Sequence, residues 1–81
     1  MENNKPNTEL VRVEALTPNV RVKYRVLVDG IRIGMILLYK EKMATVYVPE
    51  RVHIGILSDV LSKLNEVEPA ATSLKIAHEE G

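Results

Sequence analysis

The segment from Val20 to Tyr39 constrains the fold more than any other, because it has the pattern of a β-hairpin. Two runs of nine residues, rich in β-branched and aliphatic side chains, flank Asp29-Gly30. A two-residue type I′ turn needs a positive φ at both central residues, and Asp-Gly is among the pairs that tolerate it best. The sequence therefore predicts two antiparallel strands in which Val28 faces Ile31.

A regular hairpin of this register divides the side chains between two faces. The predicted core face is apolar, and it carries Val20, Val22, Tyr24, Val26, Val28, Ile31, Ile33, Met35, Leu37 and Tyr39. The opposite, outer face mixes basic and apolar residues, and it carries Arg21, Lys23, Arg25, Leu27, Arg32, Gly34, Ile36 and Leu38. Because successive side chains of a strand point to opposite faces, the register decides which residues reach the core.

The segments on either side of the hairpin predict two more strands and one helix. Residues 8–16 alternate, with Val11 and Val13 toward the core and Arg12 away from it, so they predict a first strand. Residues 43–48 predict a fourth strand, which ends before a proline. The fold class is therefore α+β: a four-stranded antiparallel β-meander followed by one amphipathic helix packed on one face, or ββββα.

The helix is predicted from apolar residues that recur every four positions, at Val52, Ile56, Val60 and Leu64. A proline and an acid suit the helix start, so we expect a helix over residues 50–67. A rival interpretation makes Arg51–Leu57 a strand and begins the helix after it, because apolar residues alternate there and Gly55 disfavours a helix interior.

The two ends of the chain are predicted to lie outside the domain, which then spans residues 8–67. Residues 1–7 are polar and predict a disordered leader. Residues 68–81 predict a flexible acidic tail. Within this tail Leu74 and Ile76 alternate with polar or small residues, so a short edge strand is the alternative.

The composition limits the function classes open to the chain. Its 81 residues form one small domain, and the absence of cysteine excludes disulfides and zinc sites built on thiolates. Neither His53 nor His78 has the spacing of a metal ligand, so we expect no metal and no cofactor. No apolar run approaches the ~18 residues of a membrane span, and no signal peptide is recognisable, which predicts a cytoplasmic protein.

The sequence offers no motif for catalysis. Ser58, Ser62 and Ser73 have no motif around them, and the glycines have neither P-loop nor dinucleotide-binding spacing. His53 falls within the apolar arc of the predicted helix, where a partly buried structural histidine is the simpler interpretation. We therefore expect a protein that is not an enzyme and has no catalytic residues.

Charge is segregated along the chain, although the net charge is zero. Five basic and two acidic residues lie between Arg12 and Arg32, whereas the segment after Leu64 holds four Glu and one Lys. Basic side chains interleaved with an aromatic suit nucleic acid, because cations reach phosphates while a ring stacks on a base. Plain solubilisation is the alternative explanation. The predicted nucleic-acid-binding residues are Arg12, Arg21, Lys23, Arg25, Arg32 and Tyr47.

Large aliphatic residues on the outer face predict a second kind of contact. Leu27, Ile36 and Leu38 would be exposed there, and such residues usually have a covering partner. On the helix, Ile54 and Leu61 lie at the edge of an apolar arc wider than one core needs, although a curled sheet could bury them too. We therefore predict a homodimer that binds DNA or RNA. The alternative is a protein-binding inhibitor or adaptor module, for example from a mobile element.

The order of these segments resembles the stage V sporulation protein G family, a group of small bacterial regulators. The resemblance is carried by LVRVEAL at residues 10–16, VLVDGIRIGMILLY at 26–39 and ATVYVP at 44–49, followed by an amphipathic helix. This chain has Met-Ala-Thr at 43–45 where the family has Gly-Leu-Phe, and it lacks the family's polar segment between the proline and the helix. The resemblance implies a homodimer that binds DNA or RNA in a regulatory role, and it transfers no site residue.

Overall fold

The computed structural model describes residues 7–39 and 42–78, which form a five-stranded sheet with one helix packed against it. In chain order the elements are β1 (Thr8–Val13), β2 (Val20–Val28), β3 (Ile31–Tyr39), β4 (Met43–Val48), α1 (Ile54–Val67) and β5 (Ser73–His78). The strands lie side by side in the order β1-β2-β3-β4-β5. Strands β1 to β4 form the predicted antiparallel meander, so the α+β class, these four strands and the helix after them are confirmed.

The fifth strand corrects the predicted four-stranded antiparallel sheet. β5 pairs with β4 in parallel, from Ser73 opposite Met43 to His78 opposite Val48, which makes the sheet mixed. Parallel neighbours need a crossover connection, and α1 supplies it here. The short edge strand that the sequence left open for the tail is therefore present, while residues 79–81 of that tail lie outside the described residues.

The turn of the central hairpin has the predicted geometry. Asp29 and Gly30 have φ values of 53° and 83°, as a type I′ turn requires. Asp29 also holds the residue before β1: its N–H donates to the carbonyl of Asn7 at 2.9 Å, and its Oδ1 accepts from the N–H of Asn7 at 3.0 Å. Asn7 is thus part of the folded domain, and the rest of the predicted leader, residues 1–6, lies outside the described residues.

The pairing of β2 with β3 keeps the predicted partners at both ends but is displaced by one residue between them. Ile33 in β3 and Arg21 in β2 each stand as an extra residue in the register. Each is a β-bulge, in which two residues of one strand oppose one residue of the other. Because the bulges lie on opposite strands, their shifts cancel, and only the pairs between them change. Tyr24, for example, faces Ile36 and not Met35.

The displaced register inverts the alternation of β3. Ile36 and Leu38 are 0% and 1% exposed, so their predicted position on the outer face is wrong. Met35 and Leu37, which were predicted to face the core, lie on the opposite side of the sheet and are half-buried. The core is built from Val22, Tyr24, Val26, Ile36, Leu38, Ala44, Val46 and Val48 of the sheet and from Val60 and Leu64 of α1.

Gly34 permits the close approach of strands that accompanies the bulge in β3. A Cβ atom built on Gly34 would collide with the backbone carbonyl of Tyr47 and would lie 3.4 Å from the Cα of Val48. The backbones of β3 and β4 therefore come nearer here than any side chain would allow. A glycine inside a strand often marks such a bulge or close approach.

β1 is also displaced relative to the prediction, and it ends three residues early. Val11 lies opposite Arg25, and Arg12 lies opposite Tyr24. The predicted inward position of the β1 valines is therefore wrong, because they share the face of Arg25. Arg12 lies instead on the helix side of the sheet, where Leu10 makes the apolar contact with the core.

α1 ends where predicted, at Val67, but begins later. Residues 50–53 lead into it without regular structure, so the helix does not start at residue 50, and no strand covers 51–57. His53 caps the first turn, because its Nδ1 accepts a hydrogen bond from the N–H of Gly55 at 3.0 Å. Gly55 thus lies in the first turn and not in a helix interior.

The helix does not lie centrally on the sheet. Its backbone comes closest to β1, from which a groove of about 240 Å³ near Leu10 and Lys63 separates it. On the other side a groove of about 140 Å³ lies between Leu61 of α1 and Leu74 of β5. Leu74 and Ile76 on the helix side of β5 are 46% and 39% exposed, whereas Thr8 of β1 is 3% exposed, so the helix side of β5 is covered less well than that of β1 at these residues.

Candidate functional site

The face of the sheet opposite α1 is the best candidate for a functional surface, and we call it the open face. The register aligns two rows of side chains across all five strands of this face. The first row is Val13, Lys23, Leu37, Thr45 and Lys75, and the second row is Val11, Arg25, Met35, Tyr47 and Ala77. Because neighbouring strands lie about 4.8 Å apart, each row spans about 19 Å.

The two rows carry positive charge and no acidic residue. Lys23 and Arg25 lie on β2, and Lys75 lies on β5 at the edge of the sheet. Among residues 7–39 and 42–78, no ion pair involves any of these three cations. Their charge is therefore uncompensated within the described part of the chain and is available to a ligand with negative charge.

Apolar side chains form the floor between these charges. Met35, Leu37 and Tyr47 are half-buried, since neighbours on the pleated sheet shield them although α1 lies on the other side. Thr45 is only 5% exposed in the same floor. A flat apolar surface with an aromatic ring and nearby cations is the combination that sheet-based nucleic-acid-binding domains use for stacking bases and contacting phosphates.

One corner of the open face lies outside the two rows. Leu27 is half-buried there and keeps its predicted side of the sheet. Its two register partners are Arg32 on β3, which also keeps its predicted side, and Glu9 on β1. Glu9 thus places a negative charge at the corner and leaves the rows positive.

Two of the predicted nucleic-acid-binding residues lie away from the open face. The Nη2 of Arg21 is 3.3 Å from the Oε1 of Glu68, and the hydroxyl of Tyr24 donates to the Oε2 of Glu68 at 3.1 Å. Arg12 lies on the same side, opposite Tyr24. The predicted set of six is therefore divided: Lys23, Arg25, Arg32 and Tyr47 share the open face, and the other two belong to a cluster at the C-terminal end of α1.

This cluster changes the acidity of the tyrosine. Burial raises the pKa of Tyr24 above its ordinary value of 10.0, and the hydrogen bond and negative charge of Glu68 raise the pKa further. The positive charges of Arg12 and Arg21 oppose this shift. Tyr24 is thus held in its neutral form, in which its hydroxyl donates a hydrogen bond to the carboxylate of Glu68, the C-cap residue of α1.

The predicted partner interface is divided as well. Ile36 and Leu38 lie in the core and cannot contact a partner. Leu61 packs against the core cluster and also lines the groove beside β5. Ile54 is 79% exposed in the first turn of α1, on the helix side of the sheet and apart from Leu27. These residues therefore do not form one continuous surface.

Sequence reasoning missed four apolar residues of the open face and one cation. Val11, Val13, Met35 and Leu37 were assigned to the core, and Lys75 was placed in a tail. Gly34 inside an apolar strand was the available signal for a bulge, and the alternation of Leu74 and Ile76 was the signal for a strand that would present Lys75.

The remaining candidates for chemistry have structural roles or stand apart. His53 uses its Nδ1 to cap α1. Within residues 7–39 and 42–78, no group of three or more histidine or acidic residues is arranged to hold a metal ion. The only helix in that part of the chain is neither long nor apolar enough to cross a membrane.

Comparisons of this chain with protein-family models, with curated proteins and with solved structures return no match. The resemblance to the stage V sporulation protein G family therefore stays a prediction from the sequence.

Proposed function

We propose that this chain is a small regulatory protein that binds nucleic acid on the open face of its sheet. The observation that carries the proposal is the set of three cations, Lys23, Arg25 and Lys75, in two rows that contain no acid. Between the cations lies an apolar floor with an aromatic ring, Tyr47. The proposal assigns no catalytic residue and no cofactor, and it places the protein in the cytoplasm.

Charge distinguishes a nucleic acid from a second copy stacked on the same face. A face-to-face homodimer would bring the row cations of both copies into one interface, and the acidic side chain that the described register places on this face is Glu9 of each copy. Burying unpaired like charges is unfavourable, whereas a phosphate backbone supplies a regular series of anions. The homodimer predicted from the sequence is therefore proposed to join elsewhere.

The proposal assigns a role to each kind of side chain. Lys23, Arg25 and Lys75 contact phosphates, with Arg32 at the corner, and Tyr47 stacks on a base. With three phosphate contacts, the logarithm of the affinity should fall with the logarithm of salt concentration at a slope of about −2.1 to −2.7. Between 50 and 200 mM salt, binding should then weaken by about 20- to 40-fold.

The test is a fluorescence-anisotropy titration of labelled DNA and RNA oligonucleotides, single- and double-stranded, at several salt concentrations. Lys23→Ala and Arg25→Ala should each weaken binding and make the salt slope shallower by about 1. Arg12→Ala is the matched control, because it removes the same charge from the helix side of the sheet. We expect it to leave the slope unchanged.

Two outcomes would refute the proposal. Equal effects of Arg12→Ala and Arg25→Ala would mean that overall charge and not the open face governs binding. Failure to bind any oligonucleotide at low salt would favour the alternative function, a protein-binding inhibitor or adaptor. The apolar residues Met35 and Leu37 beside the cations fit an acidic partner with an apolar centre, and recovery of one specific protein after nuclease treatment would support it.

A further inference from the structure

β5 is an edge strand that leaves apolar side chains uncovered. It is the last strand in the sheet order, and among the described residues nothing pairs with its outer edge. Leu74 and Ile76 lie on the helix side, opposite the buried Ala44 and Val46, yet they are 46% and 39% exposed. The backbone of α1 lies nearer β1, and a groove lined by Leu61 and Leu74 opens between α1 and β5. An exposed apolar edge strand readily pairs with another strand.

We propose that β5 pairs antiparallel with β5 of a second copy, about a twofold axis that passes between Ile76 of one copy and Ile76 of the other. This register places Ile76 of each copy against Ile76 of the other on the helix side. Leu74 then lies opposite His78 of the second copy on the same side, and Lys75 lies opposite Ala77 on the open-face side. The strand pairs with itself over residues 74–78, and every pair has compatible chemistry.

Alternative registers of the same strand are less favourable. A twofold axis at Lys75 would place two ammonium groups directly opposite each other, which destabilises an antiparallel pair. An axis at Leu74 or at Ala77 would pair only three residues of β5 per copy, because the strand ends at Ser73 and His78. The axis at Ile76 is therefore the one that pairs most of the strand without opposing like charges.

The other edge of the sheet is less suited to self-association. On β1 two of the three helix-side residues are covered, since Thr8 is 3% exposed and Leu10 packs against the core, and the third is the charged Arg12. β1 also carries Glu9 and Arg12 on opposite faces, and charges on an edge strand oppose pairing. β5 carries one fixed charge, Lys75, which the proposed register places beside a small residue.

A second copy is the natural occupant because the strand is complementary to itself. Closed twofold dimers are the commonest assemblies of identical chains, and antiparallel edge pairing produces this symmetry. The resulting sheet has ten strands with both helices on one side. Both open faces then lie on the other side, so the rows of cations continue across the dimer axis. The dimer does not depend on the proposed nucleic-acid binding, and its tests contain no nucleic acid.

The first test is the mass of the unmodified full chain in solution by light scattering. We expect twice the 9.1 kDa of one chain, and a mass that stays at one chain at all accessible concentrations would overturn the proposal. Ile76→Asp should give a folded monomer, as judged by circular dichroism. Leu16→Asp is the matched control, since Leu16 is 82% exposed in the loop after β1, and it should remain a dimer. Loss of dimer in both variants would also count against β5.

The second test measures the register directly. The chain has no cysteine, so a single introduced cysteine reports only on its own position. Residues directly opposite in an antiparallel pair have Cβ atoms about 4.5–5.5 Å apart, within reach of a disulfide after a small adjustment, and diagonal neighbours are about 7–8 Å apart. Ile76→Cys should therefore form a disulfide-linked dimer under mild oxidation much faster than Lys75→Cys or Ser73→Cys. Faster linkage through position 75, or equal rates at all three positions, would overturn the proposed axis.

Discussion

The inverted alternation of β3 predicts opposite consequences for the same substitution at two neighbouring residues. Leu38 is 1% exposed and lies in the core, whereas Leu37 is half-buried on the open face. A hairpin without bulges would reverse these positions. Comparing Leu38→Ala with Leu37→Ala therefore tests the two bulges while the chemistry of the change is held constant.

The magnitude follows from the burial of the two side chains. Leu→Ala removes three carbon groups, which at about 0.8 kcal/mol each corresponds to about 2.4 kcal/mol of transfer free energy for a fully buried site. The cavity left behind adds about 1–2 kcal/mol if the core does not collapse. We expect Leu38→Ala to lower the free energy of unfolding by about 3–4 kcal/mol. Leu37→Ala should lower it by about 1 kcal/mol, since that side chain is already partly exposed and leaves no closed cavity.

The assay is a urea titration monitored by circular dichroism, with the dependence of the unfolding free energy on urea compared between variants. A domain of this size has only about 4–12 kcal/mol of stability, so Leu38→Ala could leave the chain largely unfolded. Ile36→Val is the milder companion at a site that is 0% exposed, and it should cost about 0.5–1.5 kcal/mol. A larger loss for Leu37→Ala than for Leu38→Ala, or no loss for Ile36→Val, would refute the displaced register.

Two further predictions concern the backbone and pH. Gly34→Ala should lower the unfolding free energy by at least about 2–3 kcal/mol, because the new Cβ would collide with the carbonyl of Tyr47. Gly30→Ala is the comparison, because a Cβ at Gly30 meets no atom within 4 Å but the backbone there has a φ of 83°. It should lower the unfolding free energy by about 1–2 kcal/mol. Similar losses in the two variants, measured by urea titration, would contradict the close approach. The raised pKa of Tyr24 means that its contribution to stability is complete below pH 10.0 and is lost as pH rises through the folded-state pKa, because the unfolded state loses its proton first. Tyr24→Phe should therefore flatten the fall of unfolding free energy on the alkaline side of pH 10.0, and an unchanged pH profile would contradict it.

Most of the fold could be predicted because its signals are local. Asp29-Gly30 specifies its turn through positive φ values, and Glu68-Pro69 directly after α1 marks the end of the helix. The start of α1 was missed because His53 caps the helix with a ring nitrogen, a signal weaker in sequence than serine or aspartate. β5 was only an alternative because a parallel strand at an edge depends on a distant neighbour and its own pattern is short.

The candidate site was predicted less well, because one residue of displacement exchanges the two faces of a strand. In β3, Met35 to Tyr39 are all apolar, so either alternation looks acceptable in the sequence. Tertiary packing makes the choice, since the close approach at Gly34 selects the register that buries Ile36. Lys23 and Arg25 kept their predicted face, because the polar and apolar alternation of β2 leaves no such ambiguity.

The two bulges have a consequence for how this hairpin can change in evolution. Each bulged residue is extra to the register, so deleting Ile33 or Arg21 leaves every present pair of β2 with β3 intact and turns no neighbouring residue over to the other face. Deleting a residue between Val22 and Val26 would instead exchange the two faces of β2 on one side of the deletion. The two bulges are therefore the positions at which this hairpin should tolerate the loss of one residue best, and related sequences should lose Ile33 and Arg21 independently of each other.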